Sequence, residues 1–200
     1  MKTTCFTACQ GQTFRVSPAF FHRVNLGSGA IVALRLGQGA NTSELLEAGR
    51  RARLLVSCPL AVMTDLQPRY WPQRLDSFGE AASRVELSLT ADALGGCSID
   101  MLLGLSNLRD AGFRLAVVGL RRHQLQVLSR GPLTTVVLDP GLVACLPDCQ
   151  QAVDELSSIT VAAQLLGLDV VAAGVETMPQ CRLLTRLGIS LAEGELFAKP

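Results

Sequence analysis

The chain has 200 residues, 48% of them hydrophobic, and a formal net charge of +1. That length and apolar content allow a sizeable core in one soluble unit spanning residues 1–200. The near-neutral balance argues against nucleic acid or an anionic membrane surface as the partner. No apolar run reaches spanning length. Met1 to Phe14 lacks the apolar stretch of a leader, and the seven cysteines are odd in number and scattered. The expectation is a cytoplasmic chain with reduced thiols.

In chain order, Phe14 to Phe21 reads as a first strand with Ser17-Pro18 at an edge or bulge. Turn chemistry at Asn25 to Gly29 leads into Ala30 to Leu36, a second strand apolar enough to be covered on both faces. Thr42 or Ser43 can cap a helix through Arg53, with Glu44 and Glu47 in its first turns. Leu54 to Met63 is a third strand, and Pro72 to Ala82 a short helix with Tyr70 and Trp71 at its entry. Arg84 to Thr90 is a fourth strand.

Ser98 is placed to cap a helix carrying Met101, Leu102, Leu105 and Leu108 on its apolar face, and Gly112 to end it. Arg114 to Val118 follows as a fifth strand, then a short helix over Arg121 to Ser129. Thr134 to Leu138 is a sixth strand closed by Asp139-Pro140. The longest helix runs from Asp148 to Leu166 and stops at Gly167; Leu156, Ile159, Ala163 and Leu166 are its core positions. A buried strand through Val170-Val171-Ala172 then delivers Gly174, Glu176 and a Met178-Pro179 helix start, and Ile189 to Ala192 forms an eighth strand. Strands alternating with helices predict an α/β fold with a parallel sheet, and eight of them predict closure into a (β/α)8 TIM-like barrel.

Several stretches together carry a resemblance. Val170 to Thr177 is similar to the "AEGVET" segment of EAL domains, bacterial phosphodiesterases that cleave cyclic di-GMP. Ser17-Pro18 takes the place of the family's "QP" strand, and Ala30 to Arg35 that of the "EALxR" signature. Val85 to Ala91 resembles "LELExTE", Gly112 to Leu120 resembles "G…LALDDFG", Val137-Leu138-Asp139 resembles "KID", and Ala192 to Pro200 resembles "QGYLFxKP". The resemblance implies the EAL type of barrel, shortened between the second and third strands, where Thr42 to Arg53 supplies less helix than the family has.

It also implies a chemistry: two divalent cations on carboxylates and an asparagine at the barrel top, activating water against a phosphodiester. Reading across, the signature glutamate falls on Ile31 and the asparagine on Met63. The two acids of the fourth strand fall on Ser88 and Ala91, and the paired aspartates on Val118 and Gly119. The lysine falls on Val137, the loop glutamate on Ala173 and the terminal glutamine on Glu193. Arg35, Asp139 and Glu176 survive, with Gly174 and Gly194. Ile, Met, Val and Ala offer no oxygen to a hard cation, so the expectation is no metal, no cofactor, no catalytic residues and no enzyme. Asp65 and Asp92, with Glu176 and Glu193, are the acids from which a relocated metal site would have to be built.

The sequence-level expectation is therefore an inactive EAL-like adaptor that binds a bacterial regulatory protein, in control of motility, biofilm or virulence genes by family analogy. Tyr70 and Trp71 are its candidate anchors. The alternatives are a non-catalytic cyclic di-GMP receptor using Arg35, Asp139 and Glu176, and a residual phosphodiesterase. Each of these three residues also has a plainer reading: a rim ion pair for Arg35, a loop cap for Asp139, and a helix-start acid for Glu176. Cyclic di-GMP, nucleic acid and membrane are not expected as partners. The basic runs Arg50, Arg51, Arg53 and Arg121, Arg122, His123 read as solvated faces, and Cys145 with Cys149 as helix-start packing.

Overall fold

The computed structural model describes residues 4–7, 13–16, 20–28, 31–36, 53–56, 82, 83 and 85–197. Eight strands close into a barrel: β3 (Phe20–Asn25), β4 (Ile31–Leu36), β5 (Arg53–Val56), β6 (Val85–Thr90), β7 (Arg114–Leu120), β8 (Thr135–Leu138), β9 (Asp169–Ala172) and β10 (Leu191–Glu193). Neighbours from β4 round to β10 are parallel, so their C-terminal ends share one mouth. The expected α/β barrel is present.

Two features differ from the sequence reading. The stretch Phe14 to Phe21 is not one strand. Its beginning belongs to β2 (Thr13–Val16), which pairs with β1 (Thr4–Thr7) in a separate antiparallel hairpin, and its end opens β3. Ser17 and Pro18, matched above to a family strand, lie outside the described residues. The sheet is also not wholly parallel: β3 runs antiparallel to both neighbours, with Phe20 opposite Leu36 and Glu193 opposite Arg23. A turn over residues 26–28 explains the reversal, because Asn25 Oδ1 accepts from the backbone of Gly27 and Ser28 and folds β3 straight back into β4.

The helices follow the predicted signals closely where they are described. They are α1 (Ala91–Gly95), α2 (Ile99–Asp110), α3 (Pro140–Ala144), α4 (Gln150–Leu165) and α5 (Met178–Arg186), with a 3₁₀ segment at Arg122–Ser129. Ser98 Oγ accepts from Met101 N and caps α2 as its position predicts. The long helix begins two residues later than Asp148. Outward-facing Leu89, Leu115, Val117, Val136, Leu138, Val170 and Ala172 pack with Leu105, Leu108, Leu156, Ile159, Ala163 and Leu184 in the main core. Strand alternation turns Ala116, Val137 and Val171 the other way, into a second small cluster with Val118, Ala173 and Leu191 inside the barrel.

Of the predicted helix over Thr42–Arg53 only Arg53 is described, and it opens β5 instead of ending a helix. Of Pro72–Ala82 only Ala82 is described, and the distal part of the third strand and the connection between β4 and β5 lie outside the described residues. No helix among the described residues is long and apolar enough to cross a membrane. Cys97, Cys145, Cys149 and Cys181 are free thiols.

Candidate functional site at the barrel mouth

Each loop at the mouth begins where a parallel strand runs out. After β6, Thr90 caps α1 by accepting from Ala93 N, and Asp92 lies exposed beyond it. After β7, Arg121 holds extended backbone, and its N–H donates to Gln124 Oε1 at 3.1 Å. Gln124 Nε2 in turn donates to Asp92 Oδ1 at 2.6 Å, which ties these two loops together. After β8, Asp139 Oδ1 accepts from Gly141 N and Leu142 N and starts α3. The plainer reading of Asp139 as a loop cap is what the structure shows. Its other oxygen faces Arg121 Nη2 at 3.6 Å.

After β9 the segment Ala173–Glu176 crosses to β10. Val175 N donates to Glu193 O and Leu196 N donates to Val175 O. Gly194 lies so close that a Cβ there would sit 2.1 Å from Val175 O, so only glycine fits. Glu176 is exposed and does not cap the next helix. Thr177 is the cap of α5, and Gln180 Oε1 accepts from the N–H groups of both Glu176 and Thr177.

Glu193 departs most from expectation. It takes the place of the family's terminal glutamine and is one of the acids from which a relocated metal site would have to be built, but it is buried and accepts from Arg23 Nε at 2.6 Å. Arg23 Nη1 reaches Glu86 Oε1 at 2.9 Å, and Glu86 Oε2 accepts from Thr135 Oγ1 at 2.8 Å. Arg114 Nε stands 3.5 Å from Glu86 Oε2, and its Nη2 bonds Asp169. A partnered carboxylate inside the barrel needs a cation within reach, and β3 supplies one. Sequence reasoning passed over Arg23. Its signal was faint, a charged residue between apolar neighbours in Phe20-Phe21-His22-Arg23-Val24.

Among the described residues, part of the lining is apolar. Val118, Val137 and Ala173 stand where the family resemblance placed an aspartate, a lysine and a glutamate. Asp92 and Asp139 are engaged by Gln124 and by backbone, and among the described residues no group of three or more His, Cys, Asp or Glu is placed to hold a metal ion. The described donors do not fit a divalent pair. Arg35 lies near the mouth end of β4, opposite Phe21 and beside Leu55. Its side chain, and all of Met63, Asp65, Tyr70 and Trp71, lie outside the described residues.

Comparison with known proteins bears on the function. The EAL domain model matches residues 38–200. Over 129 residues, 63% of this chain, the sequence is 35% identical to the cyclic di-GMP phosphodiesterase NbdA of Pseudomonas aeruginosa, but spans 16% of that protein. It is 32% identical over 128 residues to the cyclic di-GMP phosphodiesterase RocR of the same species, spanning 33% of it. The chain thus spans a third or less of these relatives' length. The EAL domain of Mycobacterium smegmatis DcpA superposes with a TM-score of 0.74 at 22% identity, covering 90% of this chain and 89% of that one. Klebsiella pneumoniae BlrP1, in a calcium and cyclic di-GMP complex, gives 0.75 at 22% identity over 89% of this chain and 54% of that one.

These relatives correct one expectation. The reading of the chain as a non-enzymatic adaptor does not stand, because the proteins it matches are named as cyclic di-GMP phosphodiesterases. With a family match across residues 38–200 and an eight-stranded barrel of the same kind, the chain belongs to the EAL domain family.

Proposed function

We propose that the chain acts on cyclic di-GMP, and that its reaction class is hydrolysis of a phosphodiester bond at the barrel mouth. The observation that carries the reading is the name shared by three relatives at 32–36% identity. It is supported by the shared mouth, the end of an α/β barrel where loops present chemistry over a fixed frame. Support comes from kinship rather than from a metal-ligand cluster.

Arg35, Asp139 and Glu176 are the residues assigned to the nucleotide. Arg35 offers a guanidinium fork suited to a phosphate. Asp139, fixed by two backbone N–H groups, holds the start of α3 and has its other oxygen 3.6 Å from Arg121 Nη2. Glu176 is exposed on the loop between β9 and α5, and its carboxylate is the group assigned to take a proton from the attacking water. Water adds to phosphorus, one ring P–O bond breaks, and the released ribose oxygen takes up a proton to give the linear dinucleotide.

The test is incubation of the full chain with cyclic di-GMP, with Mg²⁺, with Mn²⁺ and without added metal, and chromatography for linear dinucleotide. Product above a protein-free control, reduced in Glu176→Gln, is the expected result. Neither product nor calorimetric binding under any of these conditions would overturn the proposal.

A further inference from the structure

We infer that Arg121 is an anion-binding residue of the mouth, the contact for one phosphate of the cyclic dinucleotide. The inference rests on the function proposed above. Its starting point is β7. The register of β7 against β8 shifts between Val118 and Leu120, and Gly119 sits in the bulge with φ +69° and open space where a Cβ would stand. A bulge at a barrel rim re-aims the residues that follow it. Here the residue that follows Leu120 is Arg121, at the C-terminal end of the strand.

The backbone of Arg121 is anchored and its side chain is not. Gln124 holds the Arg121 N–H, and Asp92 holds Gln124. The guanidinium is 40% exposed. Its ionic neighbour is Asp139 at 3.6 Å, beyond hydrogen-bond reach, and that carboxylate already serves two backbone donors. Among the described residues the ionic partner of this fork is Asp139, at the same end of the barrel. Val118, Val137 and Ala173 line the barrel close by without charge, and an anion beside an apolar wall is screened less than on an open surface.

The charge pattern supplies the second strand of the argument. A cyclic dinucleotide carries two phosphates, and Asp139 and Glu176 add negative charge at the same end of the barrel. Arg35 on β4 and Arg121 after β7 stand three strands apart around the ring. Two arginines at separated positions on the ring suit two separated phosphates, since a guanidinium suits a phosphate better than a point charge does. Arg122 is also exposed, but its N–H goes to Glu155 of α4, whereas that of Arg121 goes to Gln124, which is tied to Asp92 in the neighbouring mouth loop.

Calorimetric titration of the folded full chain with cyclic di-GMP, and separately with inorganic phosphate, tests the assignment. Arg121→Ala should weaken dinucleotide binding by ~10-fold or more, Arg121→Lys by less, and Arg122→Ala by under about twofold. Circular dichroism and a melting curve confirm that each variant is folded. Unchanged affinity in Arg121→Ala, or an equal loss in Arg122→Ala, overturns the inference while leaving the function above intact. Inorganic phosphate binding as tightly as the dinucleotide, with the same dependence on Arg121, overturns the assignment of the dinucleotide as its ligand. Wild-type protein silent to the dinucleotide overturns the function, and the inference falls with it.

Discussion

The inside of the barrel divides into two unlike sectors, and three strands cross the boundary between them. On β7, β8 and β9 the first inward residues are Arg114, Thr135 and Asp169, all in or beside the ionic cluster around Glu86. Two residues further along the same strands stand Ala116, Val137 and Val171, a purely apolar cluster. The apolar sector requires only that volume be filled. The ionic sector requires that Arg23, Glu86 and Glu193, which are buried, keep their partners. A change of the same size should therefore cost more in the second sector, and its cost should depend on what else is present.

The largest expected effect comes from Glu86→Ala. It removes the acceptor of Arg23 Nη1 and Thr135 Oγ1 and the neighbour of Arg114, all within the barrel. Orphaning a buried charge in this way costs about 3–5 kcal/mol, read by urea unfolding followed by circular dichroism. A loss under about 1 kcal/mol would show that water enters this sector, and the contrast would collapse.

Arg23→Met should cost about 3 kcal/mol, because Glu86 and Glu193 lose their shared cation. Combining it with Glu193→Gln should cost less than the sum of the two single changes, since each removes part of the same network. Strict additivity in the double-mutant cycle would dissolve the idea of one coupled cluster.

A reciprocal exchange on β8 sharpens the boundary itself. Val137→Thr places a hydroxyl in the apolar sector, while Thr135→Val removes a donor to Glu86. Each should lose about 1–2 kcal/mol by the same unfolding assay. If Val137→Thr is neutral, the upper sector is not dry.

The smallest effect belongs to a thiol packed outside both sectors. Cys97 is buried, and its Sγ donates to Ala93 O at 3.3 Å. Burial pushes its pKa above the ordinary value, while Arg130 pulls the other way. A raised value means the folded state keeps its proton longer than the unfolded chain. The corresponding stability is present at neutral pH and is lost as pH rises through the folded pKa. Mild alkylation at pH 8, read by mass spectrometry, should label exposed Cys145 well before Cys97.

The parallel strands of the barrel were legible because their sequences carry apolar runs that end in turn residues. Asp139 before Pro140 declared its capping role, and Ser98 declared the start of α2. The reversed strand β3 was not legible, since Arg23 interrupts the apolar run that would have marked it. Nor was the ionic cluster, in which Glu86 and Glu193 lie 63 and 170 positions from Arg23 along the chain. Local periodicity carries no information about such pairs. Glu193 was misread for that reason: it ends β10 at the mouth side, but its carboxylate is buried against Arg23. The adaptor reading failed differently, by weighing individual side chains above the likeness of the whole domain to named phosphodiesterases.

The reversal of β3 also decides how this barrel is wired to its surroundings. Phe20 lies level with Leu36, the mouth end of β4, and Glu193 closes β10 at that same end, with a short 3₁₀ turn over Glu195–Phe197 beyond it. The chain therefore enters the barrel and leaves it on one face. A segment joined at either point is tethered within a few residues of the mouth, and a short flexible tether holds its cargo at an effective concentration of about millimolar. Contacts too weak to form between free molecules would be populated there, and any loop or helix placed upstream of Phe20 would sample the mouth whether or not a ligand occupied it.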